Sequence, residues 1–272
     1  MQEAIRKAHK RKLYNGFVIF RMTLRNILKA RRTIFLALLS ATPIALAVLF
    51  LLAKYSHDVG TSGFGFFAST MGTIQLRGIL LILTVFYGST VFSDEIDRKT
   101  LIYIQSRPVS QFVFILGKYM SAFLLTAVLL VLSTFITYLL LTLTESAGYF
   151  YAGLSFLAKD ILVMLLGSAA YVAFMMFLAF ILKKPVLWGL LFALGWENVV
   201  VNIPGPINKL TLLHYIQSIF PHPVGTNAAG ILAALNPASS SVQTSVTVLI
   251  AITFAFIFLS WFFYRIREYK LN

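Results

Sequence analysis

The chain has 272 residues, 59% of them hydrophobic and 12% charged, with a formal net charge of +14 and no cysteine. A mean hydropathy of +0.84 excludes a soluble domain of ordinary composition and points to a membrane protein. Without cysteine, disulfide frameworks and thiolate metal or redox sites are excluded too.

Ten Lys or Arg residues precede the first apolar run. A secretory signal keeps its apolar core near the start, so the run that follows this long basic leader is expected to remain as a span. Within the leader, Arg21, Arg25, Lys29 and Arg32 recur at helical spacing opposite Leu13, Phe17, Phe20, Leu24 and Ile27 or Leu28. That is the pattern of an amphipathic helix lying in the membrane interface, its basic face toward anionic lipid headgroups. Anchoring the topology of the first span explains the pattern equally.

Six apolar runs read as transmembrane helices: 34–53, 78–92, 112–143, 161–182, 186–201 and 246–264. The second and fifth are short and must borrow flanking residues. The third reaches about 48 Å by helical rise, so it must tilt or protrude. Alternating strands of a membrane barrel are absent, and continuous apolar runs are what helices in lipid require. The expected fold is an all-α polytopic membrane protein forming a single domain over 1–272, with a leader at 1–33, a six-span bundle at 34–264 and a tail at 265–272.

The basic residues sort unevenly between the two sides. Ten precede the first span, four fall between the second and third counting Lys118, two between the fourth and fifth, and three follow the sixth. The other side receives only Lys54, Arg77, Lys159 and Lys209. Retention of Lys and Arg in the cytoplasm during insertion then places both termini there, with the chain in the cell (plasma or inner) membrane. That bias accounts for the net charge without a nucleic-acid partner.

The segments 55–75 and 145–160 read as outer connectors, the first rich in Gly, Ser and Thr, the second in aromatic residues suited to headgroup level. The segment 203–243 holds five of the eight prolines around LTLLHYIQSIF. Short helices on, or dipping into, the outer face are expected there.

Between the second and third spans, Asp94, Glu95 and Asp97 precede Arg98 and Lys99, then apolar Leu101, Ile102, Tyr103 and Ile104, then Arg107-Pro108. Carboxylates suit the N-terminal end of a short helix, Ser93 could cap it, and Pro108 stops it nearby. Ser110 would then cap the third span, with Lys118 reached two turns later at headgroup depth. A helix–break–helix of this kind passes the motion of a bound partner into a membrane span.

The run FSDEIDRKTLIYIQSRPVSQFVFILGKYMSA, 92–122, resembles the acidic-x-acidic, Lys-Thr-Leu, Arg-Pro, Leu-Gly-Lys pattern of permease subunits in the ABC-2 type of ATP-binding-cassette transporters. It is most similar to the branch labelled multi-copper enzyme maturation permeases. The resemblance implies that Asp94, Glu95, Asp97, Arg98, Lys99, Thr100, Arg107 and Pro108 form a coupling helix seated on a separate ATPase subunit. It also implies two permeases, identical or different, and two ATPases, with ATP and magnesium on the ATPases and no cofactor in this chain. The family often has a further basic residue after Arg-Pro-x-Ser, where this chain has Gln111 and Phe112.

No Gly-x-x-x-x-Gly-Lys-Ser/Thr loop occurs, so the chain is not expected to be an ATPase or any other enzyme. Spans with few charges suit export of a hydrophobic or amphipathic substrate. Two other classes stay open: an ion-coupled secondary transporter or channel, and a non-transporting scaffold that recruits cytoplasmic proteins.

Glu197 is the carboxylate inside a candidate span, where a charge costs about 2.5–3.5 kcal/mol on insertion scales. It marks a transport path or a permease–permease seam, or else is held by neighbours such as Trp196 and Asn198 or reaches outer water. His9, His57, His214 and His222 do not converge, so no metal site is expected. Adjacent Met175 and Met176 suit gap-filling in a bundle better than a copper relay, and no Gly-x-Ser-x-Gly elbow marks a hydrolase.

Overall fold

Each apolar run falls on a helix in the computed structural model, which describes residues 2–56, 62–97, 110–142, 147–203, 206–222 and 240–266. Among the described residues there is no strand. Five helical stretches there are long and apolar enough to cross a bilayer: Arg31–Ser56, Gly63–Ser93, Gln111–Thr142, Gly153–Ile181 and Val242–Ile266. The expected fifth span is the shorter apolar helix Pro185–Val200.

The leader is helix α1 (Gln2–Lys29). It ends because Ala30 turns to extended dihedrals, φ −72° and ψ 132°, and the bend is pinned by Thr33 Oγ1 donating to Ile27 O at 2.5 Å. Helices α2 (Arg31–Ser40) and α3 (Thr42–Ser56) then follow as the first span. Pro43 falls at the second residue of α3, where a missing N–H removes no helical bond.

The second span corrects one expectation: much of 55–75 is not a connector. Helix α4 (Gly63–Thr70) starts there, with the Ser62 side chain accepting from Gly65 N at 3.1 Å. It continues through a π-helical stretch, Met71–Ile79, into α5 (Leu80–Asp97). Gly, Ser and Thr are poor helix formers, but Phe67 and Met71 are fully buried, and that packing outweighs propensity. The end of α5 brings a second correction. Ser93 caps no new helix; with no breaker after Phe92, the span itself runs on to Asp97.

Helix α6 (Gln111–Thr142) is as long as its apolar run and starts directly after Ser110. Helix α7 (Ala147–Ile181) takes in most of the supposed connector 145–160, so Asp160 lies within a helix. It is the central rod, packing against α5, α6, α8 (Pro185–Leu190), α10 (Leu212–Ile219) and α11 (Val242–Ile266). A Cβ on Gly88 would stand 2.8 Å from Met175 Cβ and 3.1 Å from Val172 O, so α5 and α7 cross nearly backbone to backbone. Met175 and Met176 are buried in this core.

After α8 come a second π-helical stretch, Leu191–Glu197, then α9 (Asn198–Val200), a 3-10 turn (Pro206–Leu210) and α10. The short helices expected in 203–243 are thus present up to Ile219; residues 223–239 lie outside the described ones. Contacts with α7 fix their order: Glu197 meets Tyr171, Ile216 faces Gly167, and His222 meets Asp160. The chain therefore climbs α7 in two pieces. Pro185–Val200, at most about 24 Å by helical rise, is too short alone for a hydrocarbon core of about 30 Å, and α10 carries the ascent further.

Candidate functional site: the base of the third span and a buried polar layer

Of the residues expected to couple to a partner, Asp94, Glu95 and Asp97 occupy the end of α5, and their side chains lie outside those described. Arg98, Lys99, Thr100, Arg107 and Pro108 lie outside the described residues altogether. The two helices that carry this segment are described, and they are tied together. Lys118 Nζ donates to Val91 O at 2.8 Å and stands 4.5 Å and 5.0 Å from the ring centroids of Phe92 and Phe114. Lys118 is buried between the helices, where two aromatic faces and a carbonyl stand around its ammonium.

Gly117, its neighbour, meets α1 instead. A Cβ there would stand 3.2 Å from Ile19 Cγ2 and 3.3 Å from Gly16 O, and Ser121 Oγ donates to Phe20 O at 3.0 Å. The leader helix therefore seats one side on α6 rather than offering its whole apolar face to lipid. Ile27 is buried while Phe17 and Leu28 stay exposed. Arg21, Arg25 and Lys29 are exposed, and Arg32 is half-buried at the start of α2.

Deeper in the bundle, Glu197 is 0% exposed. Its carboxylate accepts from Tyr171 Oη at 2.7 Å, Leu213 N at 2.9 Å and Leu212 N at 3.2 Å. Neither expected neighbour holds it, since Trp196 is 45% exposed and Asn198 Nδ2 donates to Arg77 O and Ala193 O. Outer water does not reach it either. The carboxylate fills the N-terminus of α10, where free N–H groups and the helix dipole favour an anion.

The two π-helical stretches meet at this level. Such turns leave carbonyls without their usual partner, and Asn198 Nδ2 serves one in each, at 3.2 Å from Arg77 O and 3.0 Å from Ala193 O. The Arg77 guanidinium ties in two further elements. Its Nη1 donates to Asn202 Oδ1 at 3.4 Å, and the Gln217 amide, oriented to accept, receives Nε at 3.0 Å and Nη2 at 3.1 Å.

The sequence reading missed one pair. His222 Nε2 lies 3.0 Å from Asp160 Oδ2, both side chains buried, while Asp160 Oδ1 has no hydrogen-bond partner among the described residues. The rings of Phe64, Phe67, Phe156 and Phe220 surround the imidazole at centroid distances of 5.3 to 6.1 Å. A signal for Asp160 existed: with Leu157, Met164 and Gly167 it forms one helical stripe, and all four are buried. Elsewhere, His214 Nε2 lies 3.1 Å from Ser240 Oγ. The side chain of His9 and all of His57 lie outside the described residues.

Long apolar helices packed around a buried polar layer define a multi-pass membrane protein. A family model described as ABC-2 family transporter protein matches residues 26–195, from the end of α1 to the second π-helical stretch. The chain belongs to this family, the membrane component of ATP-binding-cassette transport systems, whose members work with ATP-binding subunits. No curated protein matches it.

Proposed function

We propose that the chain is the permease subunit of an ATP-driven exporter of a hydrophobic or amphipathic substrate, working with a second permease copy and driven by separate ATPase chains bound at 94–118. The observation that carries the coupling is the Lys118–Val91 contact. It joins the two helices flanking the charged segment, so force on that segment reaches both spans as one rigid body. Asp94, Glu95, Asp97, Arg98, Lys99, Thr100, Arg107 and Pro108 supply the docking surface; ATP and magnesium sit on the ATPase. Arg21, Arg25 and Lys29, exposed beside Phe17 and Leu28, suit an anionic lipid surface in the cell membrane, with both termini cytoplasmic.

Glu197 acts as a pin between helices rather than a charge on the transport path, since three donors already occupy it. The likeness to multi-copper maturation permeases concerns architecture, because a chain without cysteine and with four scattered histidines offers no copper route.

The test is co-purification followed by transport. An ATPase with phosphate-binding loops should accompany the chain, and Glu95→Ala or Arg98→Ala should uncouple ATP hydrolysis from transport while the protein still inserts. Normal transport by both variants would remove these residues from the contact. Transport driven by an ion gradient without any ATPase would favour the secondary-carrier reading, and recovery of cytoplasmic proteins with no transport would favour a scaffold.

A further inference from the structure

Arg77 places a charge at mid-depth in the bundle. It lies half-way along the span Gly63–Ser93, and Leu80, one turn further on, stands against Gly167, the middle residue of the span Gly153–Ile181. A guanidinium at that depth is costly unless an anion compensates it. Among the described residues no carboxylate does so: Glu197 is occupied by Tyr171, Leu212 and Leu213, and Asp160 pairs with His222.

The partners of Arg77 are neutral amides instead. Asn202 Oδ1 takes one N–H of Nη1, and the Gln217 oxygen takes Nε and one N–H of Nη2. Among the described residues this leaves one N–H on each terminal nitrogen, as many as a carboxylate or phosphate accepts in a two-point grip. The group is within reach. Arg77 is half-buried and Asn202 exposed, and Val199 and Ile203, exposed on the same segment as Asn202, offer apolar surface to a tail. Tying the two π-helical stretches together needs no charge, since the neutral Asn198 amide already does it. The positive charge therefore calls for a ligand.

We propose that Arg77, steadied by Asn202 and Gln217, binds the acidic headgroup of an amphipathic molecule whose tail lies along Val199 and Ile203. Taking that molecule as the substrate rests on the transport reading; the binding itself does not.

The test places the full chain in nanodiscs of neutral phosphatidylcholine and adds one of three photoactivatable probes: a fatty acid, a phosphatidic acid, or a fatty alcohol of the same chain length. Crosslinks are mapped by mass spectrometry. At least one acidic probe should label 199–203, and the alcohol should not. Labelling by the fatty acid alone would identify a free carboxylate as the ligand, and labelling by phosphatidic acid alone a lipid phosphate. Arg77→Gln should lower the yield about tenfold or more, because it removes a charge-assisted grip, while Arg77→Lys should retain part of it. Asn202→Asp, at an exposed position, keeps Arg77 but sets a competing carboxylate beside it, and should lower the yield similarly even if Arg77→Gln fails to fold.

An unchanged yield in Asn202→Asp, or in a folded Arg77→Gln, would overturn the proposal. So would equal labelling by the alcohol, which would mean apolar contact alone, or no labelling by either acidic probe. Loss of the ATPase partnership would sink the proposed function and leave these yields as they are.

Discussion

Glu197 shows how a costly residue becomes tolerable. Two backbone donors and a tyrosine hydroxyl replace water around its carboxylate, and the dipole of α10 points at it. Tyr171→Phe, which removes one donor, should cost about 1–2 kcal/mol. Glu197→Gln should cost more, because its amide NH2 would face groups that are themselves donors. Thermal unfolding in detergent, compared with the parent, measures both. Lys118→Met keeps the apolar stem but loses the bond to Val91 O and the ring contacts. It should lower ATP-coupled transport more than stability, whereas Lys118→Arg should recover part of it; equal transport by parent and Lys118→Met would dissociate the clamp from coupling. That Glu197 needed a reason was legible in the sequence, since a charge inside an apolar run is conspicuous. Its partners were not legible, because Tyr171 lies 26 residues away and Leu213 lies 16 away, beyond any local pattern.

Among the elements, apolar length was read well and connectors were read poorly. Segments 55–75 and 145–160 look like loops by composition, yet most of each is helical because Phe67 and Leu157 are buried in the core and Asp160 pairs with buried His222. Helix crossings rest on small residues whose importance a single sequence does not display. Gly88→Ala should force α5 and α7 apart at Met175 Cβ and Val172 O, costing about 1–3 kcal/mol by overpacking, read as a lowered Tm. Gly117→Leu should dislodge α1 from α6, through Ile19 and Gly16, and expose the leader to protease while the spans stay protected. Wild-type protection of α1 in that variant would mean that the Gly117 contact is dispensable.

At the scale of the whole molecule, the number of crossings decides where the termini lie. Pro185–Val200 is too short alone, but followed by α10 it climbs α7 from beyond Tyr171 to Asp160. Tags at both ends should therefore be cleaved from the same side of sealed vesicles; opposite sides would mean that this broken segment turns back without crossing. What the sequence by itself determined was the solvent, the helical class and the approximate spans, because the energy of placing apolar length in hydrocarbon is summed along the chain residue by residue. The tertiary structure alone decided which polar side chains pair inside, that α5 continues past Ser93, and that 206–222 folds back against α7. Those outcomes depend on groups far apart in sequence meeting where no water competes for them, and the sequence order carries no record of such meetings.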